Sequence, residues 1–210
     1  MPALMLVRTN NAPTAGRRRR RREPEARRKG AERVNDTDVP RQAQATRQVA
    51  VVLVKPRFAG SIGSCARSMA AFDCGDLRLV QPLTDHLCRK ARGASAGAQD
   101  ILKQATVHES IEDAVGMDNA VGFAAPNSPA AREADDIFDS ARDAWTEWAL
   151  SCRSGEKLCL VFGPENAGLT AKEARACEFG SCTIAHSPTA ESLSLSHACT
   201  VALYDIWRSV

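Results

Sequence analysis

The amino-acid sequence predicts an α/β fold in which a mostly parallel sheet carries helices on both faces, beginning near residue 48. Short apolar runs alternate with amphipathic stretches along residues 48–210, which is the pattern of strands buried on both faces and of the helices that connect them. The chain has 210 residues, and 44% of them are hydrophobic. That is enough for one domain with a sizeable core.

The first five elements follow from the order of these runs. A β-branched run at 49–54, ended by a Lys-Pro pair, predicts a buried strand. Apolar residues at helical spacing predict a helix at 62–72, and a second apolar run closed by a proline predicts a strand at 77–80. A short strand at 106–108 and a weak helix at 111–115 come next.

The second half of the region repeats the alternation. An apolar run at 120–125 predicts a strand, and the tryptophan-containing stretch at 131–150 predicts a long helix. A strand at 158–162 runs directly into a glycine, and a Thr followed three residues later by a Glu predicts a capped helix at 170–177. The remaining elements are a strand at 182–185 and an amphipathic helix at 192–208.

Residues 1–47 have a different composition and predict a disordered, arginine-rich tail. They hold thirteen Lys and Arg against five Asp and Glu, and they lack a sustained apolar period. Three interpretations of the tail stay open: an RNA-binding arm that contacts phosphates, an organellar transit peptide, or an extension from an upstream start codon. The acidic residues weigh against a transit peptide. Residues 48–210 hold fifteen basic and twenty acidic residues, so their charge alone does not indicate a nucleic-acid enzyme.

The cysteines and the hydropathy bear on metal binding and on the compartment. The eight cysteines form no C-x-x-C pair, and the four histidines show no ligand spacing, so we expect no metal site and reduced, mostly buried thiols. No apolar run approaches the roughly twenty residues that cross a bilayer. We therefore expect no membrane association and a cytoplasmic protein, or one in a mitochondrion or plastid if the tail is a transit peptide.

A glycine-rich stretch follows the strand predicted at 158–162. Residues 162–170 read F-G-P-E-N-A-G-L-T and place two glycines between a strand and a helix start. Glycines leave backbone N–H and C=O groups accessible to a ligand with an adenine edge. The stretch lacks the Lys-Ser/Thr of a P-loop and the spacing of a dinucleotide turn. An ordinary strand-to-helix turn is the competing interpretation.

Two further stretches have compositions suited to chemistry. Residues 184–197 read I-A-H-S-P-T-A-E-S-L-S-L-S-H and form a hydroxyl-rich loop before the last helix, for which Ser192 is a candidate cap. Residues 60–67 read G-S-I-G-S-C-A-R and begin a helix that carries Arg67 beside an apolar face. An arginine there needs a partner, either a carboxylate, an RNA phosphate or an attacking hydroxyl.

Taken in chain order, residues 60–67, 162–170 and 184–197 resemble the first, second and third motifs of the SpoU/TrmH family of RNA 2'-O-ribose methyltransferases, within the SPOUT superfamily. The resemblance covers nearly all of residues 48–210. Residues 91–102 also resemble a segment of the TrmJ branch, which methylates anticodon-loop riboses in tRNA. The resemblance implies a C-terminal trefoil knot, one of the rare exceptions to unknotted folds, together with S-adenosylmethionine as cofactor, a homodimer, and tRNA in preference to rRNA as substrate.

Residue roles are implied by matching positions. Arg67 matches the catalytic arginine that deprotonates or orients the ribose 2'-hydroxyl, and Glu165 would brace the glycine-rich loop. Ser61 and Ser194 stand where the family usually has asparagine, which reaches further. The sequence stops at Val210, so we expect no C-terminal extension like that of the TrmJ branch. The implied cofactor-binding residues are Phe123, Ala124, Ala125, Gly163, Gly168, Ile184, Glu191, Ser192 and Leu193.

Two alternatives to an active methyltransferase remain. A catalytically weak RNA-binding paralogue would keep the pocket and lose turnover through Ser61 and Ser194. An unrelated Rossmann-type enzyme is disfavoured, because the glycine motif lies late in the chain and does not follow the first strand.

Overall fold

The predicted parallel sheet is confirmed, with helices on both faces. The computed structural model describes residues 41–125, 130, 137–187, 189 and 192–210. The strands are β1 (Val49–Val54), β2 (Asp76–Val80), β3 (Thr106–His108), β4 (Asn119–Phe123), β5 (Ile137–Phe138), β6 (Leu158–Phe162) and β7 (Gly180–Cys182). The helices are α1 (Arg41–Arg47), α2 (Ala59–Ala71), α3 (Arg89–Ser95), α4 (Gln99–Gln104), α5 (Ile111–Val115), α6 (Ala141–Ser151), α7 (Ala171–Arg175) and α8 (Leu195–Trp207).

The chain changes the side on which it adds strands at the middle of the sheet. Across the described residues the order is β3-β2-β1-β6-β4-β7-β5, and every pairing is parallel. The chain builds outward from β1 through β2 to β3, then crosses to the other side of β6 with β4. In open α/β sheets, ligands bind outside the carboxyl ends of the strands at such a point.

The core lies on both faces of the sheet because successive strand residues point to opposite sides. All six residues of β1 are buried. Val51 and Leu53 face a cluster shared with α2, α6 and α8, while Val52 and Val54 face a second cluster shared with α5 and α7. Burial on both faces explains why β1 is a continuous apolar run. Among the described residues, no helix is long and apolar enough to span a membrane.

Four sequence predictions are corrected by the structure. The helix predicted at 131–150 is wrong at Ile137–Phe138, which form β5 and pair with β7; residues 131–136 lie outside the described residues. Sheet pairing overrides the helical period there, and α6 begins only after Ser140, whose side chain accepts a hydrogen bond from the Asp143 amide. The strand predicted at 182–185 is Gly180–Cys182, so the residues after Cys182 leave the sheet.

The other two corrections concern helix boundaries. The disordered tail predicted to residue 47 is wrong for α1, in which Ala43, Ala45 and Thr46 are buried and which packs against α8. The alanines supply apolar surface and high helix propensity; residues 1–40 lie outside the described residues. The last helix starts at Leu195, and its cap is Ser194, not Ser192.

A charged cluster joins β2, β4 and β6 at the amino ends of these strands. The Arg78 guanidinium lies 2.8 Å from Asp76 and 2.8 Å from Asp118, and the Lys157 ammonium lies 2.6 Å from Asp76. Burial alone raises the pKa of Asp76, but hydrogen bonds from Arg78 and Lys157 outweigh it and lower the pKa below its ordinary value. The cluster therefore contributes stability that depends on pH.

Replacing Asp76 tests this contribution. Asp76→Asn should lower the free energy of unfolding at neutral pH by about 2 kcal/mol, because Arg78 and Lys157 lose a half-buried anionic partner. The folded-state pKa of Asp76 is depressed, so its contribution is complete above the unfolded-state pKa of about 3.8 and is lost as pH falls through the folded-state pKa. Denaturant titrations from pH 5 to pH 2 should show a shallower loss of stability in the variant.

A matched control is available in the same fold. Asp100 pairs with Lys103 on the surface, where ion pairs contribute little, so Asp100→Asn should leave the stability profile unchanged. Equal behaviour of the two variants would contradict a stabilising role for the Asp76 cluster.

Candidate active site

A cavity of about 270 Å³ opens at the carboxyl ends of β4 and β6. Its volume lies near the lower limit of small-molecule sites, which are roughly 300–1,000 Å³. Its lining comes from three places in the chain: the end of β4, the loop after β6, and the described residues between β7 and α8 together with the first turn of α8. The cavity therefore sits at the switch point of the sheet.

Two stacked phenylalanine rings form an apolar part of the lining. Phe123 and Phe162 are opposite each other in the β4–β6 register, and their ring centroids are 4.5 Å apart at an interplanar angle of 19°. Both side chains are almost wholly buried. An offset pair of this kind fixes both rings, so the cavity is bounded on this side by a rigid aromatic surface.

The loop after β6 is shaped by its glycines. A Cβ added at Gly163 would lie 2.2 Å from the backbone of Gly168 and Leu169, so the two ends of the loop touch and only glycine fits. Gly168 has a φ of 66°, in the left-handed region that favours glycine. The loop closes through hydrogen bonds from the Ala167 and Gly168 amides to the Pro164 carbonyl. Residues 163–169 of this closed loop line the cavity.

The predicted capping box ends this loop and begins α7. The Thr170 hydroxyl accepts a hydrogen bond from the Glu173 amide, and the Glu173 carboxylate accepts one from the Thr170 amide. Glu173 also pairs with Lys55 at 2.8 Å, just after β1. Partial burial raises the pKa of Glu173, but the hydrogen bonds from Lys55 and Thr170 lower the pKa by more, so it lies below its ordinary value. The capping box and the ion pair with Lys55 therefore fix the end of the loop that leads into α7.

Glu165 connects the loop to the start of α2. One carboxylate oxygen accepts a hydrogen bond from the Arg57 amide at 2.9 Å, and the other accepts from the Phe58 amide at 3.2 Å. Phe58 is the residue before α2 and has no side-chain cap of its own. The carboxylate therefore satisfies two backbone donors at this helix start and ties the first motif to the cavity lining.

Neutralising Glu165 should loosen this connection. Glu165→Gln leaves one acceptor oxygen and turns an NH₂ group toward an N–H donor, so we expect a loss of about 1 kcal/mol of stability for this partly solvated contact. Amide hydrogen exchange at Arg57 and Phe58 should become faster in the variant. Glu147→Gln, on the exposed face of α6, is the control and should leave both rates unchanged. Unaltered exchange in Glu165→Gln would show that the brace is dispensable.

The segment between β7 and α8 supplies the third part of the lining. Ile184, His186, Ser192 and Leu193 border the cavity. The Nδ1 of His186 lies 2.8 Å from the Ile184 carbonyl oxygen, and because that oxygen can only accept, Nδ1 carries the proton. Ser194 caps α8 by accepting a hydrogen bond from the His197 amide at 3.4 Å.

Most residues predicted to bind the cofactor lie on one cavity. Glu165 and eight of the nine predicted cofactor residues line it, and the ninth, Glu191, lies outside the described residues. Those eight are Phe123, Ala124, Ala125, Gly163, Gly168, Ile184, Ser192 and Leu193.

The other predicted catalytic residues are placed differently. Ser61 and Arg67 lie on α2, and neither they nor Ser194 line the cavity. The Arg67 side chain is exposed and makes no hydrogen bond or ion pair with any residue that the structure describes. The carboxylate partner considered for it from the sequence is therefore absent from the described part of the chain.

Sequence reasoning missed several lining residues that are neighbours of the motifs. His186, within the hydroxyl-rich stretch, is the polar one most visible in the sequence. Leu195 and Ala198 fall within the predicted last helix and were not assigned to a site. The other missed residues are Phe162, Pro164, Asn166, Ala167 and Leu169.

Comparisons with known proteins agree on one family. A model described as the SpoU rRNA Methylase family matches residues 48–204. The tRNA (cytidine/uridine/adenosine-2'-O-)-methyltransferase TrmJ of Pseudomonas aeruginosa (strain UCBPP-PA14) is 34% identical over 172 residues, which are 76% of this chain and 60% of that protein. The tRNA (cytidine/uridine-2'-O-)-methyltransferase TrmJ of Yersinia pestis (strain Pestoides F) is 30% identical over 169 residues, 75% of this chain and 59% of that protein.

A solved structure supports the same assignment. The crystal structure of TrmJ from Z. mobilis ZM4 superposes with a TM-score of 0.66 at 26% identity, covering 76% of this chain and 68% of that one. The chain thus spans about three fifths of the length of these curated relatives. Because the family model covers well over half of the sequence and the fold agrees, this chain belongs to the SpoU rRNA Methylase family.

Proposed function

We propose that the protein is an S-adenosylmethionine-dependent RNA 2'-O-ribose methyltransferase that acts on tRNA. The observation that carries the proposal is the cavity at the switch point of the sheet, where the second and third motifs meet and where Glu165 connects them to the first. The names of the TrmJ relatives support tRNA in preference to rRNA.

The described residues fit the proposed cofactor. A Cβ at Gly163 would overlap the Gly168 and Leu169 backbone, so this glycine lets the loop close, and both Gly163 and Gly168 line the cavity. The Gly163 and Gly168 backbone and the Ile184 and Leu193 region would hold an adenosine, with the stacked Phe123 and Phe162 rings beside it. S-adenosylmethionine supplies a methyl group already activated by its sulfonium. The protein is left with the tasks of positioning the ribose hydroxyl and managing its proton.

Arg67 is suited to those tasks. Its guanidinium is exposed and without a partner among the described residues, so it is available to a substrate phosphate or to the 2'-oxygen. A ribose hydroxyl is a weak nucleophile at neutral pH, and a cation beside it stabilises the developing alkoxide. Holding the oxygen in line with the methyl group lowers the remaining barrier.

A homodimer and a trefoil knot are part of the same proposal. Val201 and Tyr204 are exposed on α8, and an apolar strip of this kind on a helix beside the site is suited to a symmetric contact. Sedimentation equilibrium should give twice the chain mass.

The reaction is tested by methyl transfer. Incubation of the full chain with radiolabelled S-adenosylmethionine and separate tRNA and rRNA fractions, followed by digestion to nucleosides, should place label in 2'-O-methylated nucleosides from tRNA. Label in rRNA alone would overturn the proposed substrate, and label in a methylated base would overturn the reaction.

A catalytically weak RNA-binding protein is the second candidate, and Ser61 and Ser194 favour it. Ser194 caps α8, and asparagine is an equally good cap, so Ser194→Asn should fold normally. If the natural chain binds S-adenosylmethionine and RNA without transfer, and Ser61→Asn with Ser194→Asn restores transfer, the second candidate is correct.

A further inference from the structure

Phe58 presents an aromatic ring to solvent at a fixed position. It is 54% exposed, although it directly precedes α2. Its amide donates to Glu165, and its carbonyl accepts from the Ser61 amide at 2.9 Å and the Ile62 amide at 3.3 Å. Both backbone polar groups are therefore bonded. An exposed phenylalanine on so constrained a backbone is a preformed contact surface.

Two exposed cations lie near the chain segment that carries Phe58. Arg57 precedes it and is exposed, and Lys90 of α3 is exposed and lies over the first turn of α2, where a Cβ at Gly60 would be 3.5 Å from its Cε. Neither side chain makes an ion pair with any residue that the structure describes. Residues 48–210 hold fifteen basic and twenty acidic residues, so two unpaired cations near one segment are a local departure from the net negative charge of the domain.

The ring also adjoins the cavity. Glu165 lines the cavity and bonds directly to the amides of Arg57 and Phe58. Leu83 is also exposed. It lies close to this segment, because its amide donates a hydrogen bond to the carbonyl of Pro56 at 3.0 Å. The Phe58 ring is a flat apolar surface near two cations and is linked to the cavity lining by one residue, Glu165. This arrangement matches a ligand that has a planar face and a negative charge.

We propose that Phe58 is a stacking platform for a nucleobase of the RNA substrate, next to the ribose that is methylated, and that Arg57 and Lys90 contact phosphates of the same strand. The proposal rests on the proposed function and extends it to substrate recognition. Stacking of a base on an aromatic side chain contributes about 1–3 kcal/mol and tolerates any base. The cations supply a salt-dependent component without base preference.

The first test measures RNA affinity directly. With the full chain and a pool of unmodified tRNA transcripts, Phe58→Ala should raise the Kd at least about fivefold and leave the Kd for S-adenosylmethionine unchanged. Phe58→Trp should retain affinity and Phe58→Leu should not, because only the aromatic ring stacks. Leu150→Ala, which removes an exposed apolar side chain from α6, is the control and should bind as the natural chain does.

The second test separates stacking from charge. Arg57→Gln with Lys90→Gln should reduce the slope of log affinity against log salt by about 1.4 for a single strand, whereas Phe58→Ala should leave the slope unchanged. Undiminished RNA affinity in Phe58→Ala, or full affinity in Phe58→Leu, would overturn the platform. So would dissociation of a dimer in Phe58→Ala, which would assign the ring to a second copy of the chain.

Failure of this proposal is distinguishable from failure of the proposed function. RNA binding that depends on Phe58 without any methyl transfer would refute the activity and support the platform. Methyl transfer with RNA affinity indifferent to Phe58 would support the activity and refute the platform.

Discussion

Arg67→Ala should reduce methyl transfer by at least about a hundredfold, because a positioned group that manages the proton of the nucleophile contributes roughly 10²–10⁴ in rate. The affinity for S-adenosylmethionine should stay within about twofold of the natural value. Single-turnover transfer to tRNA gives the rate, and equilibrium dialysis with S-adenosylmethionine gives the affinity. This split between turnover and cofactor binding is the result that identifies the role of Arg67.

The structure explains why the two quantities separate. Arg67 does not line the cavity, so truncating it removes no contact from the proposed cofactor site. It is exposed on α2, whose buried residues include Ile62, Ala66 and Met69. Replacing an exposed arginine on a helix by alanine is favourable or neutral for the helix itself, so the variant should remain folded.

The control is an arginine of similar exposure elsewhere. Arg142 is exposed on α6, and the structure shows hydrogen bonds for its backbone alone among the described residues: its amide donates to Asp205 and its carbonyl accepts from the Thr146 hydroxyl. Arg142→Ala should keep both turnover and cofactor affinity. Turnover by Arg67→Ala equal to that of Arg142→Ala would show that another group activates the hydroxyl. A parallel loss of cofactor binding would instead show that Arg67 supports the pocket.

The parts of the fold that the sequence predicts best are those set by local patterns. The run at β1 is buried on both faces, and its apolar continuity shows in the sequence. The capping box of Thr170 and Glu173 is present as predicted, because it depends only on residues three apart. By contrast, β5 is two residues long and exists through its pairing with β7, which no local period reveals.

The site follows the same division. The glycines of the second motif could be assigned to a ligand-binding loop because glycine, which lacks a side chain, leaves the backbone accessible. Gly163 and Gly168 do line the cavity. Leu195 and Ala198 also line it, but their apolar character matches a core helix equally well. The brace between Glu165 and the Arg57 and Phe58 amides spans more than a hundred residues of sequence, so its partners become known only from the fold.

Gly163→Ala should weaken cofactor binding and destabilise the domain. The added Cβ would lie 2.2 Å from the Gly168 carbonyl carbon and from the Leu169 amide nitrogen. Both are backbone atoms, so no side-chain rotation relieves the overlap and the loop must move. Overpacking of this kind costs about 1–3 kcal/mol, which for a chain of this size corresponds to a Tm lower by roughly 2–12 °C.

The loss of cofactor binding should be measurable separately from the loss of stability. Moving the loop displaces the backbone groups at Gly163 and Gly168 that would contact the adenosine, so the affinity for S-adenosylmethionine should fall by at least about tenfold, equivalent to 1.4 kcal/mol. Isothermal titration with S-adenosylmethionine, performed below the lowered Tm, separates lost binding from unfolding. RNA affinity measured on the same sample should persist if the Phe58 surface is independent of the cavity backbone.

Gly75→Ala is the matched control for this substitution. Gly75 is exposed, its φ is not positive, and a Cβ there would meet no atom within 4 Å. The control should keep full cofactor affinity and equal or higher stability, since alanine reduces the conformational freedom of the unfolded chain. If Gly163→Ala bound S-adenosylmethionine as tightly as Gly75→Ala, the loop that contains Gly163 and Gly168 would not be part of the cofactor site. The cavity beside the stacked Phe123 and Phe162 rings would then bind a different ligand.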